Sequence, residues 1–261
     1  MSGEVKRVLF FSKSAGFEHG PIHREGGALS PAEQLLVAFG RKHGFGVDCT
    51  KDGSVFTPMR LEDYDLFLFC TTGNLLEAGA DGQPPMPAGG KQVLLDAIAG
   101  GKGFVGVHNA SDTFHGEGEG VDPFIAMLGG EFRTHGSQQN ATQELTSPSF
   151  PGLEDLPASF ETFDEWYCQR NLASDLHVIL LQHTDGMTGE MYEGQPAYPS
   201  AWARNHGAGR VFYTSMGHNI ENWEAEVFLK VLLAGLNWAA GRTEADLTPN
   251  IAAVAPGVPT V

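Results

Sequence analysis

Residues 103–110 read Gly-Phe-Val-Gly-Val-His-Asn-Ala. The first five carry no charge and no polar face, the pattern of a strand buried on both sides. Sheets covered on both faces are built from strands that alternate with helices. They bind ligands beyond the carboxyl ends of those strands, where His108 and Asn109 stand. Residues 101–106 also spell Gly-x-Gly-x-x-Gly. A dinucleotide site needs that motif after a strand and opening a helix. Here it runs into and through a strand, so it is not read as one.

Working outward, the alternation continues. Upstream, 90–99 carries Val93, Leu94, Ala97 and Ile98 at helical spacing, and 64–71 (YDLFLFCT) is a second strand apolar almost throughout. Residues 74–90 form a Gly/Pro loop, and 46–50 and 6–11 (KRVLFF) are further strands. Between these two strands Ser30-Pro31-Ala32-Glu33 opens a helix with a cap, a first-turn proline and a capping box. Leu35, Leu36 and Phe39 follow, and Gly44 stops the helix. Downstream, 109–175 is irregular, with a GEGEG tract at 116–120, a short helix near 122–128 and strands near 141–145 and 160–163. Strands at 177–182 and 210–215 and a helix over 222–240, with Phe228, Val231, Leu232, Leu236 and Trp238, close the core. The predicted fold is α/β: a doubly wound, flavodoxin-like, mostly parallel sheet with helices on both faces. Residues 1–241 make one domain, and 242–261 a tail that packs on the surface or frays.

Composition bounds the function. The chain has 261 residues, 16 Lys plus Arg against 32 Asp plus Glu, and a net charge of −16. That balance argues against a nucleic-acid groove and against an anionic membrane surface. Hydrophobic residues are 41%, which argues against disorder. Cys49, Cys70 and Cys168 form no CxxC and read as small buried side chains. The N-terminal segment has no apolar run of signal-peptide length, and no stretch approaches a spanning helix. A cytoplasmic protein is expected, with a homo-oligomer left open.

Ten histidines exceed what packing requires. His19 (SAGFEHG), His108 and His218 (VFYTSMGH) stand just past predicted strand ends, His135 lies in GGEFRTHG, and Asp164-Glu165 ends FETFDEWY. Taken singly, each is most simply a solvated loop residue; several converging on one sheet edge make a site. His108 occupies the place of a nucleophile at a strand-to-helix elbow. A cysteine there would mark an amidotransferase, whereas imidazole points to acid–base work or metal ligation. His23, His43, His177, His183 and His206 lack that context, and His115 sits in a Gly-rich loop with either role open. There is no HExxH, P-loop or GxSxG.

These residues resemble the ThuA family, associated with trehalose utilisation. The matching positions are Phe17 and His19; Gly103 to Ala110; Gly129, Gly130, Phe132 and His135; Asp164, Glu165 and Tyr167; and Trp202, Trp223 and Phe228. The resemblance implies a class I glutamine amidotransferase-like fold without glutaminase chemistry, and a role in carbohydrate catabolism beside enzymes that make 3-keto sugars.

The expected activity is acid–base chemistry on a sugar or 3-keto sugar such as a trehalose derivative: isomerisation, epimerisation or elimination. His108 and Glu165 are the candidate acid–base pair, with His19, His135 and His218 polarising or positioning oxygens. Asn109, Asp164, Tyr167, Trp202 and Arg133 are candidate substrate contacts, Trp202 by stacking on a sugar face. A divalent metal, Zn or Mn/Fe, is carried as a variant on His108, His135 and Glu165. The alternative is a non-catalytic carbohydrate-binding or regulatory module. The net charge favours neutral sugars unless Lys13, Arg24 or Arg133 converge on the site.

Overall fold

In a computed structural model, residues 5–79, 81–116 and 120–261 are described. Residues 1–4 of the N-terminal reading, Ala80 of the 74–90 loop and Glu117–Glu119 of the GEGEG tract lie outside that range.

The first half alternates as expected. It runs β1 (Lys6–Phe11), α1 (Pro31–His43), β2 (Phe45–Thr50), α2 (Pro58–Leu61), β3 (Leu66–Phe69), α3 (Gly90–Ala99), β4 (Gly103–Val107) and α4 (Pro123–Leu128). The second half holds β5 (Glu131–His135), β6 (Gln139–Leu145), β7 (Ser159–Asp164), β8 (Tyr167–Arg170), β9 (His177–Gln182), β10 (Tyr198–His206) and β11 (Gly209–Thr214). It ends with α5 (Ile220–Glu224), α6 (Glu226–Ala239) and α7 (Ile251–Val254).

Nine strands form one sheet in the order β2-β1-β3-β4-β11-β10-β9-β6-β7, and β5 pairs with β8 apart from it. The pairs from β2 to β11 are parallel, and those from β11 to β7 antiparallel. The sheet is therefore mixed, which corrects the expectation of a mostly parallel one. A parallel step needs a crossover of a dozen or more residues, usually helical. No helix intervenes between Leu128 and Ile220 among the described residues, so successive strands there return antiparallel.

The parallel half is the core that positions the site. All four residues of β3 and all five of β4 are buried. On β4, a Cβ at Gly103 would strike Ala239 of α6, and one at Gly106 would press on Leu128 of α4. Residues three apart point to opposite faces of a strand, so α4 and α6 cover opposite faces of β4. Ser30 caps α1 and forms the capping box with Glu33, and Gly44 ends the helix in a left-handed turn with φ 77°.

Two further readings change. The helix expected over 222–240 is broken at Ala225, whose ψ of 134° makes it both the end of α5 and the start of α6. No Pro or Gly marks the break. It accompanies the burial of Trp223, whose Nε1 donates to the Gly217 carbonyl at 2.8 Å. β10 went unread as a strand because Pro199 lies inside it; the register slips beside Pro199, and such a bulge accommodates the missing N–H. The C-terminal segment is pinned: Asn250 bonds both the N–H and the carbonyl of Val178 on β9, and Ile251 is buried. No helix among the described residues is long and apolar enough to cross a membrane.

Candidate active site

The site is built where β1, β4 and β11 end. His108 follows β4 with a left-handed φ of 45° and opens a tight 3-10 turn through Asp112. A non-glycine residue there is strained by about 1–3 kcal/mol and persists only where its surroundings over-determine it. They do. Its carbonyl accepts from Tyr213 Oη at 2.7 Å, its Nδ1 lies 2.6 Å from the Ser215 carbonyl, and its ring lies 4.3 Å from that of Tyr167. The elbow read in the sequence is present.

His218 comes from the turn after β11. Gly217, with φ 119°, makes that turn, a conformation glycine adopts at little cost. Asp164, fully buried at the end of β7, holds the turn. Its Oδ2 accepts from Gly217 N–H at 2.8 Å, and its Oδ1 accepts from the N–H groups of His218 at 3.1 Å and Glu165 at 2.8 Å. One carboxylate thus fixes both the His218 turn and the backbone of Glu165. Burial pushes the Asp164 carboxyl above its usual range despite these bonds.

Glu165 is the hub. Its Oε2 lies 3.0 Å from His218 Nδ1 and 3.6 Å from His108 Nε2, while Oε1 lies 3.2 Å from His135 Nδ1. His108 Nε2 and His218 Nδ1 are 3.2 Å apart. The His19 ring meets those of His108 and His218 edge to face, each at 5.0 Å. Burial opposes the Glu165 charge, yet its contacts with His108 and His218 hold the carboxyl well below its usual range. Burial pushes His19 down to about 2, with His108 and His218 adding to the effect, so its ring is neutral at physiological pH.

All five histidine and glutamate candidates therefore converge. His19, His135, His218 and Glu165 line a cavity of about 390 Å³ together with Tyr167, Phe17, Phe132 and Asp112. His108 stands behind this wall, fully buried, and reaches the cavity only through His218 and Glu165.

The substrate-contact candidates divide. Tyr167 is on the wall. Asn109 and Asp164 are fully buried and act on their neighbours, Asn109 through an amide 3.2 Å from His19 Nδ1. Trp202 is corrected: it is fully buried, its Nε1 donates to the Leu128 carbonyl, and its ring packs on Tyr213, so it belongs to the core. Arg133 is exposed and off the cavity wall, its charge felt by Cys168 and Tyr198. Lys13 is paired with Asp81 and Arg24 with Glu33, so neither cation turns to the cavity. Burial pushes the Cys49 and Cys70 thiols up to about 12 and Cys168 to about 11; Cys70 and Cys168 are buried as expected, and Cys49 is half-buried.

Three wall residues were not among the sequence candidates. Phe17 is 69% exposed, an unusual position for a large aromatic, and packs edge-on against His19. Phe132 packs against Tyr167 at 4.5 Å. Asp112 pairs with His115 at 3.3 Å, and burial raises its carboxyl above the usual range. The sequence held a signal for Asp112: it lies four residues past His108 in the same strand-end turn.

The fold recurs in solved structures. A ThuA-like protein from Bacteroides uniformis ATCC 8492 is 20% identical, with TM-score 0.65, over 90% of this chain and 91% of that one. A ThuA-like protein from Parabacteroides merdae ATCC 43184 is 17% identical, with TM-score 0.67, over 92% of each chain. A cytoplasmic protein of Salmonella typhimurium is 12% identical, with TM-score 0.55, over 90% of this chain and 98% of that one. Identities this low carry the fold alone. No curated protein matches the chain in sequence. The profile of the family described as ThuA, trehalose utilisation, matches residues 7–239. With His19, the GFVGVHNA elbow, the Asp164-Glu165 pair and His218 gathered around one cavity within that span, the chain belongs to the ThuA family.

Proposed function

We propose that this chain is an enzyme of carbohydrate metabolism that moves protons on a neutral sugar or 3-keto sugar. The family's link to trehalose utilisation supports the substrate class. The observation that carries the reading is the cavity itself, lined by imidazoles and carboxylates together with Phe17, Phe132 and Tyr167. Aromatic faces take the C–H face of a sugar, and the polar groups take its oxygens. Lys13 and Arg24 are paired with Asp81 and Glu33, and Arg133 lies off the cavity wall, which suits a ligand without phosphate.

A ketone at C3 acidifies the adjacent C–H. A base removes that proton, and an acid returns one to a different carbon or to a departing glycosidic oxygen. His135 is placed for the first role. Its Nδ1 faces Glu165 Oε1 at 3.2 Å, so the carboxylate fixes the ring. Asp112, held neutral to higher pH by burial, is placed for the second. His218 and His19 hold substrate oxygens, and His108 fixes His218.

A proton NMR time course in D2O tests this, with 3-keto-trehalose beside trehalose. Deuterium uptake or a new sugar signal on the keto substrate alone is expected, and His135→Ala and Asp112→Asn should each slow it at least about 100-fold. Ligand broadening without exchange would overturn catalysis in favour of a binding module. No effect on either sugar would overturn the substrate class.

A further inference from the structure

We propose that His19, His108, His218 and Glu165 form a site for one divalent transition-metal ion, with zinc the closest chemical fit. Each residue offers one ligand atom, and all four atoms lie within 4.8 Å of one another.

The argument begins with counting donors. His108 Nδ1 faces a carbonyl at 2.6 Å, so it carries the N–H, and Nε2 presents a lone pair in the neutral ring. That lone pair faces His218 Nδ1 at 3.2 Å and Glu165 Oε2 at 3.6 Å. His218 Nδ1 also faces Glu165 Oε2, at 3.0 Å. A single N–H on His218 satisfies one of these acceptors and leaves the other against it. A cation at the centre satisfies every one.

The spacing agrees. Zinc–nitrogen and zinc–oxygen bonds are about 2.0–2.2 Å, so the edges of a tetrahedral site run to about 3.3–3.6 Å. Three of the separations, 3.0, 3.2 and 3.6 Å, reach that edge. The outer contacts are also those of a built site. His108 Nδ1 is fixed by the Ser215 carbonyl, and Asp164 fixes the backbones of His218 and Glu165. Such partners set ring orientation and ligand basicity. Three imidazoles and one carboxylate suit zinc, and after it manganese or iron.

This set differs from the one read in the sequence. His135 faces Oε1, away from the cluster, and is replaced by His19 and His218. Glu165 then gives Oε2 to the metal and keeps Oε1 for His135. The inference deepens the proposed proton-transfer site and rests on the same cavity: an ion there would polarise a substrate carbonyl or hydroxyl.

The test uses the metal alone. The purified full-length chain is stripped with chelator, its fold verified by circular dichroism, and titrated with Zn2+ against a chromophoric competitor, then with Co2+ by visible absorption. One ion per chain and an intense tetrahedral Co2+ spectrum are expected. His218→Ala and Glu165→Gln, both on the cavity wall, should each weaken Zn2+ binding more than about 100-fold while remaining folded. His135→Ala should bind as the parent does. Absence of stoichiometric uptake, uptake undiminished in His218→Ala, or loss in His135→Ala would each overturn the site. Because no sugar is present, the result is independent of the substrate reading.

Discussion

Asp164→Asn isolates the device that links fold to site. The native carboxylate takes three buried N–H groups, two on Oδ1 and one on Oδ2. An amide supplies one oxygen. In its better orientation the oxygen keeps the N–H groups of Glu165 and His218, and the NH2 then faces the N–H of Gly217. One buried donor loses its acceptor, a cost of about 1–3 kcal/mol. Asp164 is fully buried, so water cannot replace the bond. For a chain of this size a loss near 2 kcal/mol lowers Tm by about 4–8 °C. Asp164→Ala strands all three donors and should cost more. Asp175→Asn is the control: its carboxylate is 53% exposed beside Arg204, and exposed pairs are worth about 0–1 kcal/mol. Scanning calorimetry and urea melts give the stability. Turnover is then measured well below the variant's Tm, where all chains are folded. Asp164→Asn should lose the proposed turnover there, because the lost Gly217 bond holds the turn that aims His218 at Glu165. A Tm within about 1 °C of the parent, or full turnover in the folded variant, would refute the reasoning.

Two further outcomes are expected. Glu33 is buried in α1, where its carboxylate takes bonds from Arg24, Ser12 and the Ser30 N–H, all at 2.7–2.8 Å. Burial opposes its charge, but these partners hold the carboxyl below its usual range. Its stabilisation is therefore present above the unfolded carboxylate value of about 4.3 and is lost as pH falls through the lower folded value. The stability gap between the parent and Glu33→Gln, on the order of 3 kcal/mol near neutrality, should narrow in acid; a gap that widens there counts against the pairing. Phe17→Ala removes an exposed ring on the cavity wall. It should raise KM for the sugar about 2- to 10-fold, the equivalent of about 0.5–1.5 kcal/mol of stacking, and leave Tm unchanged. A fall in Tm with KM intact would make Phe17 structural.

The half of the fold made by local rules was legible. Ser30, Pro31, Glu33 and Gly44 announce α1 in chain order, and the unbroken apolar runs of β3 and β4 announce a covered sheet. The antiparallel half was not, because its cues are long-range. Arg133 and Thr134 sit in β5, and β10 contains a proline, so neither reads as a strand without its partner. Trp202 shows the limit of residue type as a guide: the same ring suits a sugar face or a core, and only the Leu128 carbonyl that takes its N–H decides.

The site was legible in a different way, through position rather than motif. Its residues come from the ends of β1, β4, β7 and β11, separated by up to about two hundred positions, so no local spacing could announce them. What announced them was the rule that strand carboxyl ends face ligands, applied to histidines. The rule could not rank them. His108 looked like the reacting group because it stands at the elbow, yet it is the most enclosed of the five, while His135 and His218 meet the cavity. Its strained backbone supplies the reason. A left-handed histidine costs about 1–3 kcal/mol, and here that strain turns Nε2 inward to His218 and Glu165, with Tyr213 and Ser215 locking the turn from behind. Strain used to aim a nitrogen at two other side chains, and not at the open cavity, is what a residue needs when its partner is the proposed ion or a second imidazole, not the proposed sugar.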